Sequence, residues 1–271
     1  MSRRARLTLV IAVLAGCSSQ SPSPSTPPTA VSQSVAPPPF DSSLGVQLVD
    51  LSDLSVSGLE SVSASEPLVV SATELRFGNA SPLVTLENRR IAPEHRHGGD
   101  AGYMVIPLQR TLEAAEDTSE ITAGVATRSF ELAPGTETHV RTLTEVLYTI
   151  GQASFRSVSF WVRVGGQIKT LRADFPTFGS TDEPGPVLEL SPDGQRVQIS
   201  FGERVTSVPT SSAPQLLSAL RDAHGRAPDA AATVVAVESA PVSDFLRLIA
   251  LARGSELEPF FSKVYLRAEG S

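Results

Sequence analysis

A chain of 271 residues with 41% hydrophobic content has room for one or two packed cores. Its net charge of −7, from 29 acidic and 22 basic residues, and its single Trp and three Tyr argue against a nucleic-acid partner, since they supply neither a basic footprint nor a stacking platform. The one cysteine, Cys17, excludes a disulfide framework within the chain.

Residues 1–16 read MSRRARLTLVIAVLAG: three arginines, then a short apolar run from Leu7 to Ala15. That is the layout of a secretory signal, too short for a stable membrane span. Leu14-Ala15-Gly16-Cys17 matches the bacterial lipobox, so residues 1–17 are expected to be a lipoprotein signal with Cys17 as the lipid-attachment site. Acyl chains contribute about 0.8 kcal/mol per buried CH₂, and a multiply acylated cysteine anchors firmly. Residues 18–40 are Ser, Pro, Thr and Gln in the main and cannot build a core. They read as a tether that reaches about 70 Å at ~3.1 Å per residue. Residues 41–64 scatter Leu44, Val46, Leu48 and Leu51 among Ser and Asp and read as a transition into the folded region.

The first folded domain is expected over residues 65–175. Residues 68–77 and 82–91 are strand-like, with Gly78-Asn79 as the turn between them. A loop leads to a helix over residues 103–116, with Pro107 in its first turn. Residues 130–164 then form a strand, a turn at Pro134-Gly135, an amphipathic helix and a second strand. Val140, Leu143, Val146, Leu147 and Ile150 make the helix stripe, with Gly151 as its stop. Glu145 sits between stripe residues and is expected to face water. Val158, Phe160 and Val162 share one strand face; Ser159, Trp161 and Arg163 share the other. Residues 176–185, rich in turn formers, read as a linker.

A second domain is expected over residues 186–271. Ser191-Pro192-Asp193-Gly194 turns one strand into another, and Ser211-Ser212 cap a helix that buries Leu216, Leu217 and Leu220. Residues 234–268 then echo residues 130–164: strand, Pro-containing turn, a helix with Val242, Phe245, Leu246 and Ile249 on one face, a stop at Gly254, and a strand. Each half therefore reads β-β-α-β-α-β, an α+β fold in which a small mixed sheet is covered on one face by two helices.

The stretches LVVSATELRFG, IPLQRTLEAA and LTEVLYTIGQASFRSVSFWV resemble the periplasmic domain of the ExbD/TolR biopolymer-transport family. The resemblance covers roughly residues 68–175 and, more faintly, 187–268. It implies tandem TolR/ExbD-like domains in a cell envelope, an association with peptidoglycan and a tendency to form homodimers. Members of that family carry a transmembrane helix with an essential aspartate. The apolar run here is the signal, and it holds no acidic residue. The resemblance and the lipobox together imply a non-enzymatic lipoprotein at the outer membrane, on its periplasmic face, that binds peptidoglycan or an envelope protein. An accessory role in a proton-driven ExbB/ExbD-type transport system is the alternative.

The chemistry-bearing residues are sparse, and no cofactor is expected. His95 and His97, with Glu94 and Asp100, are the best zinc candidate and would suit a metal-dependent hydrolase, yet a solvated polar loop accounts for them as well. His139 and His224 sit at helix ends, where dipole or capping roles suffice. There is no Gly-x-Ser-x-Gly elbow and no cysteine nucleophile besides Cys17. Tyr148, Phe155 and Trp161 form either an exposed aromatic patch or part of a packed sheet edge.

Overall fold

The computed structural model describes residues 44–63, 65–99, 102–118, 129–153, 155–175 and 184–268. Cys17, the tether and residues 176–183 of the expected linker lie outside the described residues.

The chain up to residue 175 contributes β1 (Leu59–Ser61), β2 (Leu68–Val70), β3 (Glu74–Phe77), β4 (Val84–Glu87), β5 (Arg90–Ile91), a 3-10 turn (Pro93–His95), β6 (Arg96–His97), β7 (Met104–Val105), α1 (Ile106–Thr118), β8 (Ser129–Pro134), α2 (Val140–Gln152), β9 (Ser157–Val164) and β10 (Gln167–Asp174). The remainder adds β11 (Pro184–Leu190), β12 (Arg196–Phe201), β13 (Arg204–Pro209), α3 (Ala213–Arg226), β14 (Ala231–Ala236), α4 (Val242–Arg253) and β15 (Val264–Ala268). The fold is α+β, with one mixed sheet and four α-helices among the described residues.

The expectation of two small sheets is corrected: thirteen strands join into one sheet, in the order β13-β12-β11-β14-β15-β10-β9-β8-β2-β3-β4-β5, with β1 on β10, while β6 and β7 pair apart from it. The same strand order recurs on both sides of β10. In one half β2 pairs antiparallel with β3 and parallel with β8, which pairs parallel with β9. In the other half β11 does the same with β12, β14 and β15. The registers correspond residue by residue. Leu68↔Leu132 and Leu132↔Phe160 match Leu188↔Val234 and Val234↔Leu266. The strand, the connection and the helix that follow keep one constant spacing. Ser129 matches Ala231, Gly135 matches Val237 and Val140 matches Val242.

The halves join at β10, which has no counterpart among the described residues of the second half. It pairs antiparallel with all of β9 and meets β15 in parallel at Asp174↔Tyr265. Strand direction therefore reverses between the halves, as across a twofold axis normal to the sheet. His139 and Pro241, the equivalent residues preceding α2 and α4, form an antiparallel bridge with each other. That self-pairing of equivalent positions is what an isologous contact requires.

Alternation in β9 explains why the sheet has two different faces. Val158, Phe160 and Val162 join Leu68, Val70, Leu132 and the helix stripes in one core that also holds Leu188, Val234, Phe245 and Leu266. Trp161, Val69 and Ala133 point to the other face, where Leu44, Val46 and Leu48 cover them. The expected transition is thus an ordered arm. Gln47 O accepts from Thr136 N at 2.8 Å, Val49 O accepts from Arg163 N at 2.9 Å, and Leu51 N donates to Arg163 O at 2.8 Å.

Several boundaries differ from expectation for identifiable reasons. Pro184 and Gly185 belong to β11 rather than to the linker. Gly151 lies inside α2, which ends at Ala153 instead; Gly254 does stop α4, with φ +74°. Gly165 and Gly166, both at positive φ, make the tight turn between β9 and β10. Among the described residues no helix is long and apolar enough to cross a membrane.

Candidate functional site

The most heavily buried polar cluster lies where the halves meet. Glu145 projects from α2 into the space beneath β6, and 1% of its side chain is exposed. Its Oε1 accepts from Arg96 Nη1 at 3.0 Å and from Arg141 Nε, one helical turn earlier, at 2.9 Å. Arg141 continues outward. Its Nη1 donates to Tyr103 Oη at 3.0 Å and to Glu238 Oε1, and its guanidinium lies 4.1 Å from the centre of the Tyr103 ring. Tyr103 donates to Glu238 Oε1 at 3.0 Å. Burial and the Glu238 carboxylate push the Tyr103 hydroxyl above the usual phenol range. Glu238 stands in the connection before α4, so the cluster ties α2 and the loop that carries Tyr103 to the second half. Glu145 Oε2 is buried without a partner. Together these contacts fix the orientation of α2 relative to the Tyr103 loop and the connection before α4.

The expectation that Glu145 faces water is therefore corrected. The chain lays Arg96 over the middle of α2, and Arg96 is itself 7% exposed at its side chain. Alternation across β6 and its flank sends Arg96 inward and leaves His97 exposed, with His95 half-buried. His95 and His97 thus flank an inward arginine. Among the described residues no group of three or more His, Cys, Asp and Glu is placed to hold a metal, and Asp100 lies outside them. His139 takes the N-cap position of α2 without a side-chain capping bond. His224 packs against Phe260 and Phe261, at ring separations of 6.0 and 5.5 Å.

Tyr148, Phe155 and Trp161 do not share a patch. Trp161 is 9% exposed beneath the arm and donates from Nε1 to Glu131 Oε2 at 2.9 Å. Phe155 stacks edge-on against Phe130 at 5.0 Å. Tyr148 is 44% exposed and lies 6.0 Å from Tyr103, on the rim of the buried cluster.

A cleft of about 210 Å³ opens at the carboxyl ends of β2 and β8, between residues 45–47, 71–73 and 135–137. Parallel strands leave such crevices where successive connections diverge. Gly135 leaves room at its floor, where a Cβ would only reach contact distance, 3.4 Å from Val46 Cβ. Its rim carries Gln47, Thr73, Thr136 and Glu137, the last paired with Arg89 at 3.2 Å.

Comparison of the chain with known protein families, with curated proteins and with solved structures finds no match. Of the buried cluster, only the Arg141/Glu145 spacing of four was visible in the sequence as a helix pair. Arg96, Tyr103 and Glu238 join it through contacts 38 to 135 residues apart, which no local pattern marks.

Proposed function

We propose that this chain is a non-enzymatic cell-envelope lipoprotein with two TolR/ExbD-like repeats, which binds peptidoglycan or an envelope protein. In this reading Cys17 carries the acyl anchor at the periplasmic face of the outer membrane, and residues 18–40 let the folded body stand off the surface. The observation that carries it is the recurrence of one strand order, β4-β3-β2-β8-β9 and β13-β12-β11-β14-β15, behind a lipobox and a proline-rich tether. The groove of residues 45–47, 71–73 and 135–137 is the assigned contact surface for the polymer or partner.

The test incubates the purified chain with isolated sacculi and, in parallel, crosslinks it in the envelope of the native cell. Co-sedimentation with sacculi, or one reproducible envelope-protein adduct, is expected; the absence of both ends the proposal. Cys17→Ala is expected to abolish incorporation of labelled palmitate and to release the protein from the membrane fraction.

A further inference from the structure

The internal correspondence between the halves shows what one of them lacks. In the first half the chain spends residues 86–105 between β4 and α1, and that insertion covers α2 at three positions. Thr142 Oγ1 donates to Arg89 O at 2.8 Å, Glu145 binds Arg96, and Thr149 Oγ1 accepts from Val105 N at 2.9 Å. The equivalent positions on α4 are Asp244, Arg247 and Leu251. There the chain leaves β13 at Pro209 and enters α3 at Ala213, so no comparable insertion exists. Leu86, which is buried, is matched by Thr210: Leu86 N donates to Thr73 O as Thr210 N donates to Gln195 O.

A pit of about 60 Å³ remains at this place, floored by Leu190, Val197, Leu216 and Leu248 and edged by Thr210, Asp244, Arg247 and Leu251. The side chains at its edge define what fits. Thr142 offers a hydroxyl to a carbonyl, whereas an ionised Asp244 can only accept. Thr149 receives an N–H, whereas Leu251 offers apolar surface. Arg247 is engaged by Asp53, with Nη1 to Oδ1 at 2.9 Å, but the Asp244 carboxylate forms no side-chain hydrogen bond among the described residues. Burial pushes the Asp244 carboxyl above the usual carboxylate range, against the pull of Arg247.

We propose that this pit docks an extended segment of a partner protein, which places one aliphatic side chain in the pit and an adjacent basic group on Asp244. The partner segment takes the place that residues 86–105 hold in the first half. This deepens the protein-binding arm of the proposed function, yet it stands on the pit alone. It would fail independently of lipidation or of binding to sacculi.

The test uses the whole chain with ¹³C-labelled Leu and Val methyls, titrated with L-leucinamide, a cation with an isobutyl group. N-acetyl-L-leucine, the matching anion, is the control. A ligand of this size binds at roughly 10 mM. Leucinamide is expected to shift the methyls of Leu216, Leu248 and Leu251 saturably, while acetyl-leucine leaves them in place. Asp244→Asn is expected to weaken leucinamide about fivefold or more, as loss of a charged partner does. Thr210→Leu, which restores the side chain of the first half, is expected to abolish the shifts. Unmoved pit methyls, equal response to the two ligands, or an unchanged affinity in Asp244→Asn would each overturn the proposal.

Discussion

Replacing Glu145 by Leu tests how much the buried cluster contributes to the stability of the fold. The carboxylate is 1% exposed and Arg96 is 7% exposed, so the substitution takes from a buried guanidinium the carboxylate that Glu145 supplies. Breaking a buried pair in this way typically costs ~3–5 kcal/mol. Two features of the site reduce the figure. Arg141 keeps Glu238 and Tyr103, so the loss falls on Arg96. The substitution also removes Oε2, an unpartnered buried oxygen of a kind that costs about 1–3 kcal/mol. A net loss of about 2 kcal/mol follows, equivalent to roughly 4–8 °C in Tm for a body of this size. Urea unfolding followed by far-UV circular dichroism and by the emission of Trp161, the only tryptophan, measures it and tests for two-state behaviour. Arg96→Met combined with Glu145→Leu removes both charges and should return stability to within about 1 kcal/mol of the parent. A single variant that loses less than ~1 kcal/mol, or a double variant as unstable as the single, would refute the reasoning.

The other predictions concern the arm, the exposed ions and α4. Leu48→Ala removes a fully buried side chain between the arm and the sheet; it should cost about 2–5 kcal/mol and red-shift Trp161 emission. Asp53→Ala opens an ion pair in which Asp53 is 60% exposed, so unfolding should change by less than about 1 kcal/mol. The Arg247 guanidinium holds the Asp53 carboxyl below its ordinary value. What this pair contributes is present above the unfolded carboxylate value and disappears as pH falls through the folded one. Asp244 has the opposite sign: its raised value means that the folded state loses stability as pH rises from the ordinary carboxylate value through the raised one. Asp244→Asn should therefore be more stable than the parent at pH 7 and no more stable below the ordinary carboxylate value, as read by thermal melts across that range. Gly254→Ala forces a Cβ to 2.5 Å from Glu258 O at φ +74°, and should lower stability by more than the ~1 kcal/mol of an unhindered left-handed site.

The sequence exposed the elements whose burial is periodic. The stripe of α2, the alternation in β9 and the echo of both in α4 and β15 were legible because a single core face demands them. The edge strand β13 escaped notice. Residues 204–207 are exposed on both faces, so RVTSVP shows no alternation strong enough to mark it. Glu145 was misread because its position among stripe residues says which way it points only when its partner is known; Arg96, 49 residues earlier, supplies that partner. The arm over Trp161 was read as a transition because Leu44, Val46 and Leu48 alternate with Gly and Gln in a stretch that looks like loop. The merging of the sheets had no local signal at all, since it rests on Asp174 meeting Tyr265 and His139 meeting Pro241.

Joining two like halves in one chain changes what the halves can do. In a dimer of identical subunits every substitution appears twice, and each surface is matched by an equal one across the axis. Here the axis survives in the His139–Pro241 bridge, while the side chains on either side have diverged. Trp161, under the arm, corresponds to exposed Arg267; Val69 corresponds to half-buried Glu189; Thr142 and Thr149, under the insertion, correspond to Asp244 and Leu251. The insertion covers α2 within the first half, while the arm and β10 reach across to α4 and β15 through Asp53, Ser57 and Asp174. The second carries charges where the first carries core, and it leaves α4 open at the pit. On the proposed docking, Thr210→Leu should abolish the ligand response at the pit, whereas substitutions at Arg96, Glu145 or Leu48 should lower stability and leave that response in place.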